Sequence, residues 1–196
     1  ELLGSLMKKV EYLIIGGAMA NTFFAAQGKK IGKSLVERNM IETASQILAK
    51  ARDANCTIVL PQDVVLAHEF KAHASSRVAT VDDVHDDEMI LDIGPASIEA
   101  IDKLLSDVKT LVWNGPFGAF EISPFDTGTN AVAQFAAERT AAGELLTVAG
   151  GGDTVAALNQ AGVGDKFSYI STAGGAFLEW LEGKSLPGVE VLRVRS

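Results

Sequence analysis

Two hydrophobic rhythms run through the chain: short unbroken apolar runs, and longer stretches with apolar residues three and four apart. Val10-Glu-Tyr-Leu-Ile-Ile15 is a run of β-formers ended by Gly16-Gly17, and residues 18–27 then read as a helix. Ile41, Ala44, Ile47, Leu48 and Ala51 share one helical face, which predicts a helix over 40–55. Strands are predicted at 57–60, closed by Pro61, and at 63–67, 77–81 and 89–93. Gly94-Pro95 opens a helix running to about residue 107, because the fixed φ of proline suits a first turn. Residues 1–9 also have a helical pattern. The chain thus starts at Glu1 inside an element, and its first residue is not Met, as expected of a fragment.

The second half repeats one grammar three times. A strand at 110–113 leads into Asn114-Gly-Pro-Phe-Gly118 and a helix over 129–142. A strand at 145–149 leads into Gly150-Gly-Gly-Asp153 and a helix over 154–160. A strand at 167–170 leads into Ser171-Thr-Ala-Gly-Gly175 and a helix over 176–182. Apolar strands alternating with helices predict an α/β fold: a doubly wound, Rossmann-like three-layer sandwich around a mostly parallel sheet. No Pro/Ser-rich linker interrupts it, so residues 1–196 are expected to form a single domain.

Composition narrows the function. At 47% hydrophobic and 21% charged residues, the 196-residue chain is globular in character. A net charge of −8 argues against nucleic acid or an anionic membrane as partner, since phosphate backbones call for clustered cations. No apolar run approaches the ~20 residues of a spanning helix, and no basic-then-apolar leader is present, so a cytoplasmic protein is expected. The single Cys56 excludes an internal disulfide and fits a reducing compartment.

In open α/β sheets ligands bind beyond the carboxyl ends of the strands. Here those ends carry Gly16-Gly17, Gly94, Asn114-Gly115, Gly150 to Asp153 and Ser171 to Gly175. Glycine lets a backbone approach closely, and a helix N-terminus attracts phosphate. Several such ends at one sheet edge suggest a polyphosphate ligand; each alone could equally be a tight turn. Asp153, behind three glycines at a helix start, suits Mg²⁺, which takes one or two carboxylates plus phosphate oxygens; an N-cap is the competing reading. Glu121 could accept hydrogen bonds from ribose hydroxyls.

Other segments carry less. Gly28-Lys-Lys-Ile-Gly-Lys-Ser34 is one residue short of a P-loop and follows a helix, so it reads as a surface turn. Gly150-Gly-Gly-Asp-Thr-Val155 lacks the third glycine of a dinucleotide fingerprint. His68 and His73 read as surface histidines, and residues 82–88 as a solvated acidic turn. Cys56 reads as inert core.

Taken together, Leu13-Ile-Ile-Gly-Gly-Ala-Met-Ala20, Leu91-Asp-Ile-Gly-Pro95, Trp113-Asn-Gly-Pro-Phe-Gly-Ala-Phe-Glu121, Ala149-Gly-Gly-Gly-Asp-Thr154 and Ser171-Thr-Ala-Gly-Gly-Ala-Phe-Leu-Glu179 resemble phosphoglycerate kinase, nearly end to end and in the family's order. The resemblance implies the C-terminal, nucleotide-binding lobe without the N-terminal lobe that binds 3-phosphoglycerate. It implies ADP/ATP with Mg2+ as the bound species, and a monomer. By that resemblance Gly16, Gly17 and Leu35 would border adenine, with Gly94 near the base. Asn114, with Gly115, would meet the phosphates, and Glu121 the ribose. Asp153 would hold the metal, Gly151 and Gly152 would belong to the nucleotide-binding turn, and Thr154 would support the phosphate loop. Gly174 and Gly175 would face the transferring phosphate as catalytic residues.

The activity implied is reversible phosphoryl transfer from 1,3-bisphosphoglycerate to ADP in glycolysis, giving 3-phosphoglycerate and ATP. The family's phosphate-binding lysines lie upstream of this stretch and have no counterpart in it, so turnover by these residues alone is not expected. Ala18 and Ala173 stand where glycines are common in the family. An NAD-dependent oxidoreductase and a non-catalytic nucleotide-binding module are the alternatives.

Overall fold

A computed structural model describes residues 2–171, 173, 176, 179 and 183–185. Helix α1 (Leu2–Leu6) leads into β1 (Tyr12–Ile14), α2 (Gly17–Ala26) and, after a short 3-10 turn, α3 (Ile41–Asp53). Four strands follow: β2 (Thr57–Val59), β3 (Asp63–Ala67), β4 (Ser76–Thr80) and β5 (Met89–Ile93). The remainder is α4 (Pro95–Asp107), β6 (Thr110–Trp113), α5 (Thr127–Ala141), β7 (Leu146–Gly150), α6 (Gly152–Gln160) and β8 (Tyr169–Ser171).

The pairing is parallel at both ends of this order. β1 pairs with β2, and β7 lies between β6 and β8 with Val112 opposite Val148 and Val148 opposite Tyr169. Each parallel neighbour is reached through a helix, as parallel crossovers require. This is the α/β architecture that the sequence predicts. The middle of the chain departs from the βα alternation. β4-β3-β5 is an antiparallel unit, because residues 68–75 reverse the chain without a helix. β3 is buried on both faces between its neighbours, whereas β4 is largely exposed along the edge.

Two large clusters make the core. One joins α4, α5 and α6 to the face of β6 and β7 that carries Trp113 and Ala149. The other joins Phe23 and Phe24 of α2 to Val64 and Leu66 of β3. On the opposite face of β6-β7-β8, Val112, Leu146 and Tyr169 are exposed. Among the described residues no helix is long and apolar enough to cross a membrane. The predicted segment 176–182 lies almost wholly outside the described residues.

Candidate functional site

Three glycine turns meet beyond the ends of β1, β6 and β7. A Cβ on Gly16 would stand 2.5 Å from the Phe117 ring and 3.2 Å from Phe117 Cα, so only glycine fits without a shift. Gly17 has φ +60 and donates its N–H to the Phe117 carbonyl at 2.9 Å. The end of β1 is thereby seated on the loop after β6.

That loop is tied down from both sides. The Trp113 indole N–H donates to the Gly115 carbonyl at 2.6 Å, and Phe117 N–H donates to Thr129 Oγ1 at 2.9 Å. Gly115 N–H donates to Thr154 Oγ1 at 2.7 Å, which joins the loop after β6 to the first turn of α6. Gly151 has φ +97, and a Cβ there would stand 2.6 Å from Asn114 Oδ1. Gly16, Gly17, Asn114, Gly115, Gly151 and Thr154 are therefore one connected surface.

Asp153 lies at the edge of this surface. The N-cap of α6 is Gly151 and makes no side-chain cap, so Asp153 is the second helical residue and not the cap. It is exposed, and no hydrogen bond or ion pair engages its carboxylate among the described residues. The first amides of a helix lack intrahelical acceptors and carry partial positive charge. An open carboxylate beside open amides can bind a cation and an anion together.

Glu121 is placed differently. The carbonyl of its neighbour Phe120 accepts a 2.7 Å hydrogen bond from Gln160 Nε2, at the far end of α6. The nine residues of α6 span about 13 Å at 1.5 Å each, so Glu121 and Asp153 mark opposite ends of that helix. Leu35 is 75% exposed on an irregular strap, and its carbonyl accepts from Asn21 Nδ2 at 3.1 Å.

Gly94 precedes a helix end that is already filled, contrary to the expectation that this end favours phosphate. The Asp63 carboxylate accepts from the Ala96 and Ser97 amides at 3.0 and 2.7 Å and from the Ser97 hydroxyl at 2.6 Å. A Cβ on Gly94 would stand 2.3 Å from that carboxylate. The glycine here admits an internal acid, so the α4 N-terminus offers no open anion site. Gly174 and Gly175 lie outside the described residues.

Sequence reasoning missed Asp92. It is almost fully buried at the end of β5 and accepts from Gly128 N–H at 2.7 Å and Ile93 N–H at 2.8 Å. Gly118 and Gly128 leave room for it, since a Cβ on either would fall within 2.5 Å of its oxygen. Burial pushes its carboxyl up to about 7, with the nearby Asp126 charge adding to the rise. An acid inside the apolar run Met89–Ile93 was the available signal.

The basic turn at 28–34 and the acidic turn at 82–88 neutralise each other. Lys29 pairs with Asp82, and Lys30 with Asp86 at 3.3 Å. Lys33 N–H donates to the Glu88 carbonyl at 2.7 Å. The acidic turn is therefore not merely solvated. Arg77 clamps the buried Glu88 at 2.7 and 2.8 Å and reaches Asp83 at 2.8 Å, holding the Glu88 carboxyl down to about 2. His68 and His73 are exposed, and no group of three metal-binding side chains occurs among the described residues. Cys56 is buried, which raises its thiol pKa.

Comparison with known proteins gives a consistent picture. The family model described as phosphoglycerate kinase matches residues 1–184. A phosphoglycerate kinase of Methylorubrum populi is 64% identical over 196 residues, covering 100% of this chain and 49% of that protein. One from Xanthobacter autotrophicus is 65% identical over 193 residues, covering 98% of this chain and 49% of that protein. The solved structure of phosphoglycerate kinase from Coxiella burnetii superposes with a TM-score of 0.93 at 46% identity, over 99% of this chain and 49% of that one. The chain spans about half the length of the curated relatives it matches.

Proposed function

The chain belongs to the phosphoglycerate kinase family, and we propose that it is the nucleotide-binding half of such an enzyme, acting on MgADP and MgATP. The observation that carries this reading is the joining of Gly16–Gly17, Asn114–Gly115 and Gly151–Thr154 into one surface, with the free Asp153 carboxylate at its edge.

Gly16 and Gly17 border the base together with Leu35, with Gly94 behind them. Asn114 and Gly115 meet the phosphates and Glu121 the ribose, with the length of α6 between Glu121 and Asp153. Thr154 holds the phosphate loop through Gly115. Gly174 and Gly175 keep the role that sequence resemblance implies, facing the transferring phosphate.

The residues fit Mg²⁺, which takes one or two carboxylates plus phosphate oxygens: Asp153 is exposed and unpaired, beside amides suited to phosphate. When bound, the ion would offset charge on the phosphate oxygens. Asp153 would hold it, with Gly151 and Gly152 giving the loop its close backbone approach.

The reaction is transfer of a phosphoryl group from an acyl phosphate to ADP. An oxygen of the ADP β-phosphate bonds to phosphorus while the phosphorus–carboxyl oxygen bond breaks, giving ATP and 3-phosphoglycerate. The departing carboxylate needs no proton, so these residues have only to orient the acceptor and stabilise charge. The acyl phosphate substrate is assigned to the other half of the enzyme, brought to the nucleotide by closure that excludes water. A cytoplasmic monomer belongs to the same reading.

Titration calorimetry of the polypeptide carrying this chain tests it. MgADP is expected to bind in preference to NADH, and Asp153→Ala to weaken MgADP much more than metal-free ADP. Preference for NADH, or an unchanged MgADP affinity in Asp153→Ala, would overturn the assignment.

A further inference from the structure

Among the described residues Leu35 is the most exposed of the large apolar side chains, at 75%, yet its strap is sewn down by polar groups on both sides. The Asn21 amide donates to the Leu35 carbonyl at 3.1 Å. Thr22 Oγ1 accepts from the Glu37 N–H at 3.2 Å. The buried Ser34 hydroxyl accepts from the Ile90 N–H at 2.8 Å. Three bonds within four residues hold the backbone of 34–37 against α2 and β5 while leaving one leucine side chain in the open. Met19, in the first turn of the same helix, is exposed as well at 46%.

Asn21 is an uneconomical choice for a purely structural site. It is 2% exposed, and its Oδ1 is buried without a hydrogen-bond partner. A stranded buried acceptor destabilises a fold, and a leucine of similar shape would avoid that. What leucine could not do is hold the Leu35 carbonyl. Asn21 lies one helical turn in from Gly17, so the strap crosses α2 next to the Gly16–Gly17 turn.

We propose that Asn21 is a positioning residue, whose buried amide pins the 34–37 strap so that the exposed Leu35 side chain meets the base of a bound nucleotide. Thr22 pins the other end of the same strap. This rests on the nucleotide-binding reading above and adds the residue that sets base contact.

The test compares MgADP with magnesium tripolyphosphate, which has phosphates and no base, in the polypeptide carrying this chain. Asn21→Leu is expected to weaken MgADP by about fivefold, the net worth of one hydrogen bond, and to leave tripolyphosphate unchanged. Thr22→Val should do the same. Leu35→Ala should weaken MgADP on its own, and adding Asn21→Leu to it should cause no further loss, because the two act on one contact. Equal weakening of both ligands, or additive losses in the double variant, would reduce Asn21 to a structural role and overturn the proposal. So would an unchanged MgADP affinity in Asn21→Leu. Absence of MgADP binding by the unsubstituted protein would remove the underlying reading and this proposal with it. Retained tripolyphosphate binding separates a misplaced strap from a misfolded chain.

Discussion

Thr154 and Gly115 are joined across 39 residues: the buried threonine hydroxyl accepts the glycine N–H at 2.7 Å. This bond couples the turn that carries Asn114 to the turn that carries Asp153. Thr154→Val keeps the shape and strands the amide, which should cost about 1–3 kcal/mol in a urea titration and weaken MgADP binding. Thr154→Ser retains the acceptor and should preserve most of both. Equal behaviour of the valine and serine variants would show that the bond does not matter.

Gly94 admits the Asp63 carboxylate that fills the α4 N-terminus. Gly94→Ala brings a methyl group within 2.3 Å of that buried acid. The expected loss is about 1–3 kcal/mol of unfolding free energy, the usual range for overpacking. Wild-type stability in the alanine variant would mean that the helix end yields easily.

Asp92 makes stability depend on pH in an unusual direction. Its folded carboxyl is pushed up to about 7, whereas an unfolded aspartate titrates at about 4. Between those values the unfolded chain has released a proton that the folded chain still holds. The Asp92 contribution to stability is therefore complete below about pH 4, falls as pH rises, and levels off above about pH 7. Asp102, raised to about 6 by burial with the Glu138 charge adding to the rise, contributes in the same sense. Asp92→Asn should flatten the decline between about pH 4 and 7 in thermal unfolding curves, and the double variant with Asp102→Asn should flatten it further.

Glu88 acts in a separate window with the opposite sign. Its carboxyl is held to about 2 by the Arg77 hydrogen bonds, against 4.5 when free. That stabilisation is present above about pH 4.5 and is lost as pH falls toward 2. Glu88→Gln should lower stability at neutral pH and shrink the acid-unfolding transition, read by circular dichroism across pH 2 to 5.

Lys29 and Lys30 sit in the sequence that comes nearest to a P-loop, but both pair with exposed aspartates. The double change Lys29→Gln, Lys30→Gln should alter stability by less than about 1 kcal/mol and leave MgADP affinity within about twofold. A large loss of nucleotide affinity would return these lysines to the site.

Much of this molecule is written in short-range signals. From β1 to β8 the sequence pattern located each strand and α-helix within about two residues, whereas α1 ends three residues earlier than expected and the 3-10 turn at Arg38–Met40 was not separated; apolar runs and helical faces are properties of neighbouring positions. Glycine marked Gly16 and Gly151, where a side chain would strike Phe117 or Asn114, and Gly17, whose φ is +60. Asp92 went unnoticed because one acid in an apolar strand does not name its distant partner. Its meaning appears only with Gly118 and Gly128 folded over it.

The sequence by itself settled the α/β class, most helix and strand positions, and where the glycine turns fall, since each is encoded within a few residues. The tertiary structure alone decided that β3 pairs antiparallel, that Asp63 closes the α4 end, and that the basic turn is spent on the acidic one. Those outcomes depend on which remote segments come into contact, and desolvation and charge pairing act only once they have met.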